Sequence, residues 1–277
     1  AEDEVLHFWS GLGYYARARN LHAAARQIVN DRGGEWPSDR EQWNALPGVG
    51  RSTAGAILAQ ALDQRHPILD GNVRRVLARW AGIEGEPGRP EVDARLWQLS
   101  DKLTPALRAA DYTQAIMDLG ATLCTRARPD CGACPVQEDC VARREGRQSL
   151  LPTPKKARAR PERQVHWLVL QKDRSVLLSR RPARGLWGGL HGFLEAPDAQ
   201  VLGQLVTERA GHPAPNLLAL DPIRHAFTHF ELSIHPWLVE GAGAIPGKNE
   251  TWYNLDRPTS LGLAAPTAAL VNWLRAR

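Results

Sequence analysis

Apolar residues recur at helical spacing along the first half of the chain and tend to alternate with polar ones along the second. Between Ala16 and Val29 no Gly or Pro interrupts the segment, and Leu21, Ala25, Ile28 and Val29 share one helical face. Further helices are predicted from Arg51 to Leu62 and from Asn72 to Trp80, and Asp111 is placed to N-cap another whose apolar face holds Ile116, Leu119 and Leu123. In the second half, Val165–Leu170 and Ser175–Ser179 flank a short polar turn, which predicts a hairpin. Phe230, Leu232 and Ile234 alternate with polar neighbours, as in a half-buried strand. Leu202, Leu205 and Val206 suggest one helix and Ala265 to Leu274 a last one. The pattern gives an all-α half followed by an α+β half, with no internal repeat.

Between the halves the composition shifts. Leu151-Pro152-Thr153-Pro154-Lys155-Lys156 is followed by an Arg-rich run closed by Pro161, a segment expected to be extended and solvated, with charges that can touch phosphates. The expected division is a helical domain at 1–143, a linker at 144–163 and an α+β domain at 164–277.

The 277 residues are 43% hydrophobic, enough to fold as two ordinary domains. A net charge of +5 suits a polyanionic partner such as nucleic acid, and equally suits a protein that is merely basic. No apolar run approaches the ~18 residues of a membrane span, and Ala1-Glu2-Asp3-Glu4 lacks the layout of a signal peptide. A cytoplasmic protein with no membrane partner is expected. The first residue is not Met and the one methionine is Met117, so a longer N-terminal segment is expected to precede this sequence.

The four cysteines all lie between 124 and 140, as Cys124-x6-Cys131-x2-Cys134-x5-Cys140. An intracellular chain disfavours disulfides, and this spacing lets four thiolates converge on one metal centre. Zinc and an iron–sulfur cluster both accept four such ligands, so spacing alone leaves the two open. Arg126, Arg128 and Arg143 on the same loop can meet phosphate or simply face water.

Leu46-Pro47-Gly48-Val49-Gly50 precedes the helix starting near Arg51. Two glycines permit a tight turn with outward-facing N–H groups, and the next helix adds its N-terminal dipole, which suits a phosphate. Further on, Ile68-Leu69-Asp70-Gly71-Asn72 puts a carboxylate where an N-cap belongs. Such a carboxylate is fixed and ionised, and it can stabilise developing positive charge at a cleft mouth.

The string Leu46 to Ile57, with Asp70 at its distance, resembles the helix-hairpin-helix glycosylases, and the cysteine spacing resembles the cluster loop of endonuclease III and of the MutY family of adenine DNA glycosylases. The latter resemblance extends over nearly the whole chain, and is weakest in the linker and at 196–220. It implies a multidomain fold: an all-α helix-hairpin-helix glycosylase domain with an iron–sulfur loop, then an α+β Nudix-like domain. It implies a [4Fe–4S] cluster on Cys124, Cys131, Cys134 and Cys140, backbone contacts to DNA from Leu46, Gly48, Val49, Gly50 and Ser52, and catalysis by Asp70 with Asn72 arranging the site. Ser52 stands where endonuclease III-type enzymes carry the Lys that forms a Schiff base. A hydroxyl cannot form that imine, so a monofunctional glycosylase is expected. In Gly11-Leu12-Gly13-Tyr14-Tyr15, Tyr14 matches a residue that wedges into the duplex when a base is flipped.

Arg181 to Leu190 resembles the Nudix-like domain of the same family. Gly189-x5-Glu195 opens a Nudix box, but Gly203-Gln204-Leu205 stands where its Arg-Glu pair should follow, which argues against a pyrophosphate hydrolase. Phe227, Thr228 and His229 match a Phe-Ser-His loop that recognises 8-oxoguanine, with Thr retaining the hydroxyl. The implied activity is removal of adenine mispaired with 8-oxoguanine or guanine by a monomer acting on double-stranded DNA, associated with a bacterial nucleoid through that DNA. The resemblance also implies an early Glu, near a Gln-Gln-Thr stretch, that protonates the adenine. These 277 residues contain no such stretch, and Glu2 and Glu4 do not match that acid. A lesion-DNA-binding protein without base release is therefore the alternative.

Overall fold

The computed structural model describes residues 1–154, 159–210 and 216–277. In chain order its elements are α1 (Glu2–Phe8), α2 (Ala16–Arg32), α3 (Arg40–Asn44), α4 (Arg51–Leu62), α5 (Gly71–Trp80), α6 (Pro90–Leu103), α7 (Ala109–Asp118) running into a π-helical turn (Leu119–Leu123), and α8 (Val141–Arg144). They continue with β1 (Glu162–Lys172), β2 (Ser175–Arg180), β3 (His191–Gly192), β4 (Leu194–Ala196), α9 (Ala199–Ala210), β5 (Leu217–Ala219), β6 (Ile223–Ala226), β7 (Glu231–Glu240), β8 (Glu250–Asn254) and α10 (Ala265–Ala276). Contacts gather these into two compact units, Ala24–Ala157 and Ala1–Ala23 with Arg158–Arg277.

The helical unit has two apolar clusters. Ala24 and Ile28 of α2 pack with Trp43, Leu46, Ala54 and Leu58. Val73, Val76 and Leu77 of α5 pack with Val92 and Leu96 of α6 and Ile116 of α7. Two glycines permit the close approaches: a Cβ on Gly55 would stand 2.8 Å from the Pro67 carbonyl oxygen, and one on Gly120 would stand 2.6 Å from the Cβ of Asn72. The π turn is thereby pressed onto the first turn of α5.

One cap differs from the sequence expectation. Helix α7 begins before Asp111, with Arg108 in the left-handed region (φ 60°) as its N-cap. The first-turn N–H of Ala110 donates to Asp63 Oδ1 at 2.9 Å, so the acceptor comes from the end of α4, and Asp111 instead takes a bond from Arg108 Nε at 2.6 Å. A cap delivered from another helix leaves no local signature. The linker also begins later than expected: Leu151 is buried, and Thr153 Oγ1 accepts from the Gly85 N–H at 2.9 Å. Lys155 and Lys156 lie outside the described residues.

In the other unit β1 is central. It pairs in parallel with β7 from Glu162↔Glu231 to Gln171↔Glu240, and antiparallel with β2 and β4. The predicted hairpin is β1–β2, closed at Lys172↔Ser175. Alternation sends Trp167 and Val169 to one face, where Leu270, Val271 and Leu274 of α10 lie, and Leu168 and Leu170 to the other, under Leu202 and Val206 of α9. Residues 1–23 join this unit, whereas the sequence division put them in the helical domain. Leu6, Tyr15 and Ala18 enter the same core as Trp187 and Leu190, and the missing side chain of Gly262 admits α1, since a Cβ there would lie 2.6 Å from that of Leu6.

Candidate functional site

Within the helical unit the segment 46–50 forms the expected tight turn. The Val49 N–H donates to the Leu46 carbonyl at 3.1 Å, and Gly48 takes φ 76°, where a side chain would be strained. Gly50 is different: it is the extended N-cap of α4 (φ −91°), a conformation open to any residue. No side chain caps α4, so its first-turn N–H groups stay available to an outside acceptor. Leu46 is buried against Ala54 and Leu58 and anchors the turn.

Ser52 and Asp70 fix the neighbouring loop-to-helix corner. Ser52 Oγ accepts from the Leu69 N–H at 2.9 Å, and Asp70 N-caps α5 with Oδ1 accepting from the Val73 N–H at 2.8 Å. Asp70 Oδ2 takes no hydrogen bond among the described residues. Asn72 follows in the first turn, and its Oδ1 accepts from Arg75 Nη2 at 2.9 Å. The same guanidinium donates to the carbonyls of Gly120 (2.6 Å) and Cys124 (2.7 Å). A run of hydrogen bonds therefore links the Asp70 corner to the first cysteine. Sequence reasoning singled out Asp70, Asn72 and Ser52 but missed Arg75.

The four cysteines are unbridged, each half-buried, and line one hollow with Arg79 and Gln148. Burial pushes the Cys134 thiol up from its usual range. The Val136 backbone lowers it, and Cys124, Cys140 and Cys131 push it up further, as expected when four potential anions crowd together. Arg79 Nη1 lies 3.4 Å from Cys124 Sγ, and Gln148 Nε2 lies 3.8 Å from Cys131 Sγ. A sulfur-rich hollow with donors aimed at its thiols fits a cofactor that needs thiolate ligands. Among the described residues no group of three or more His, Cys, Asp or Glu is arranged to hold a single metal ion.

The sheet unit contains a cleft of about 520 Å³ that brings Tyr14 together with Phe227 and Thr228. Tyr14 is 74% exposed, with φ 48°. The opposite wall is aromatic: the ring of Trp187 is 5.3 Å from Phe227 and 5.5 Å from His225, and Phe227 stacks on Phe230 at 4.6 Å. The Phe227 N–H donates to the Phe230 carbonyl at 2.9 Å, which holds the loop in a tight turn. Burial pushes the His225 imidazole below its usual value, so it is neutral at neutral pH. Arg19, also in the lining, donates to the Gly188 carbonyl. His229 is exposed and does not line this cleft, so the structure brings together two of the three expected lesion-reading residues. The wall residues Trp187 and His225 went unassigned because their neighbours arrive from distant strands.

Two carboxylates of this unit, Glu195 and Glu250, are engaged. Glu195 accepts from Trp167 Nε1 at 3.1 Å and pairs with Arg181, and Glu250 pairs with Arg209 of α9. On α1, Glu2 pairs with Arg180 at 3.1 Å.

Comparison with known proteins finds two family matches, the first of which also includes residues 1–23 that pack with the sheet unit. Residues 1–102 match the HhH-GPD superfamily of base excision DNA repair proteins, and residues 165–273 match the NUDIX domain. The adenine DNA glycosylase of Buchnera aphidicola subsp. Acyrthosiphon pisum is 31% identical over 279 residues, covering 97% of this chain and 78% of that protein. The Rattus norvegicus adenine DNA glycosylase is 34% identical over 296 residues, covering 88% and 57%. Among solved structures, a thermostable thymine-DNA glycosylase aligns with a TM-score of 0.45 and 27% identity, over 52% of this chain and 67% of that one. No helix among the described residues is long and apolar enough to cross a membrane. The chain therefore belongs to the adenine DNA glycosylase family, base-excision repair enzymes that hydrolyse N-glycosyl bonds, with a helix-hairpin-helix domain followed by a Nudix-like domain.

Proposed function

We propose that this chain binds double-stranded DNA containing adenine opposite 8-oxoguanine or guanine, and removes the adenine by hydrolysing its N-glycosidic bond without cutting the strand. The observation that carries this reading is the Asp70 corner. One carboxylate oxygen is spent on the α5 cap, the other is left without a partner among the described residues, and Ser52 steadies the backbone just before it. An anion held this way stabilises the oxocarbenium-like sugar as the base departs. Asn72, tied to Arg75, arranges the same corner. Ser52 leaves no amine for a Schiff base, which supports base removal without strand cleavage.

The turn at Leu46–Gly50 grips a phosphate with the open first-turn N–H groups of α4, a contact that positions the duplex without reading its sequence. The cleft of the sheet unit supplies the reading. Phe227 and Thr228 take the 8-oxoguanine and Tyr14 fills the gap in the unstacked duplex. Cys124, Cys131, Cys134 and Cys140, which line one hollow, hold a [4Fe–4S] cluster, a choice over zinc supported by the likeness of their spacing to the cluster loop of this family. The protein acts as a monomer in the bacterial cytoplasm, at the nucleoid.

A second reading is lesion binding without base release. It is favoured by the pairing of Glu2 with Arg180, which engages that carboxylate. Single-turnover assays on an 8-oxoguanine:adenine duplex separate the two. Adenine release that vanishes in Asp70→Asn, with no strand nicking and no borohydride-trapped adduct, supports hydrolysis. Tight binding with no release supports the second reading, and a trapped adduct contradicts both.

A further inference from the structure

Arg79 lies on α5 one turn beyond Arg75, among Val73, Val76 and Leu77, and is only 3% exposed. An arginine carries a fixed positive charge, and burying one without a counter-ion is costly. Yet among the described residues Arg79 pairs with no carboxylate. Its donors go to backbone carbonyls and sulfur: Nε to Leu151 at 2.8 Å, Nη1 to Thr125 at 2.7 Å, and Nη2 to Arg126 at 3.0 Å. Nη1 also lies 3.4 Å from both the carbonyl and the Sγ of Cys124. At the other end of the loop, the Cys140 thiol points at the Arg79 carbonyl at 3.7 Å. One residue thus gathers three consecutive carbonyls and touches the first and last cysteines.

We propose that Arg79 is the positioning residue of the cysteine loop and the counter-charge of its thiolates. The inference rests on the cluster reading above. A guanidinium forks across Cys124, Thr125 and Arg126 and fixes the loop that carries the first ligand. The buried positive charge is balanced only when the hollow holds an anionic thiolate set, so loading the hollow and settling the arginine favour each other. A plain structural clamp would need the fork but not the charge.

Two variants of the full chain separate charge from fork, Arg79→Gln and Arg79→Lys. The readouts are iron and labile sulfide per chain, the rate of cluster loss to a chelator, and the midpoint potential of the cluster. Arg79→Gln is expected to lose its cluster at least ten-fold faster than wild type and to show a more negative potential, because a nearby positive charge favours the reduced form. Arg79→Lys is expected to keep a potential near wild type while losing cluster at an intermediate rate. Potentials unchanged in Arg79→Gln would overturn the counter-charge role, as would a Lys variant that is folded by circular dichroism yet devoid of iron. Unchanged loss rates in both variants would overturn the positioning role. Wild-type protein that contains zinc or no iron would overturn the cluster reading itself, and is told apart by metal analysis of that one sample.

Discussion

The helical unit builds its site from backbone, and the sheet unit builds its own from rings. Around Asp70 and the cysteines, nearly every polar contact ends on a main-chain group: Val73, Leu69, Gly120, Cys124, Thr125 and Arg126. In the cleft, Trp187, His225, Phe227 and Phe230 pack face and edge, and few directed bonds are made. Directed bonds to backbone set atoms to a fraction of an ångström, as charge stabilisation requires. Aromatic walls accept a flat guest with tolerance. The contrast supports the proposed division of chemistry in one unit and recognition in the other.

The largest effect that can break this contrast is at Asp70. Replacing it with Asn is expected to slow single-turnover adenine release by about 10²–10³-fold while leaving duplex affinity within about two-fold of wild type. Equal losses of binding and release would erase the division of labour. Next comes the aromatic wall. Phe227→Ala should weaken binding of an 8-oxoguanine duplex by about 10–100-fold, from the loss of one stacking platform worth ~1–3 kcal/mol, with undamaged duplex affinity little changed. Trp187→Leu should act in the same direction, since that ring braces Phe227.

Smaller and sharper is Gly120→Ala. Its new methyl would press on Asn72, with an expected cost of ~1–3 kcal/mol in unfolding free energy, and release should fall more than lesion binding. Smallest is a pH effect. Burial lowers the pKa of His191, of the cleft residue His225, and of His66 in the helical unit. A histidine whose folded pKa is depressed is neutral in both states well above pH 6.5. As pH falls through that value the unfolded chain takes the proton first, so stability declines. With two such groups, the sheet unit should lose a few degrees of Tm between about pH 7 and 5, and His191→Asn should flatten that slope in thermal melts.

Much of this architecture was legible in the sequence because its signals are local. The helices α4 and α5, the turn at Gly48, the cap at Asp70 and the β1–β2 hairpin all lie within a few residues of their cause, whereas the expected face of α2 does not hold: Leu21, Ala25 and Val29 are exposed, and Ala24 with Ile28 is buried. What stayed hidden depends on partners far along the chain. Asp63 caps α7 across a helix pair, α1 lands on the sheet unit beside Gly262, and the cleft wall joins Trp187 to β6. Arg75 and Arg79 were given no role from the sequence. Their pairing with loop carbonyls appears only once α5 and the cysteine loop are folded together. A clue was present: Arg79 sits at helical spacing from Val76, on the stripe that packs the core.

The most direct test of the whole account is the equilibrium affinity of the chain for an 8-oxoguanine:adenine duplex against the matching undamaged thymine:adenine duplex, measured side by side at one salt concentration. The account predicts binding to the lesion duplex at least ten-fold tighter, with that margin lost in Phe227→Ala and in Tyr14→Ala. Equal affinities for the two duplexes in the unaltered chain would contradict it.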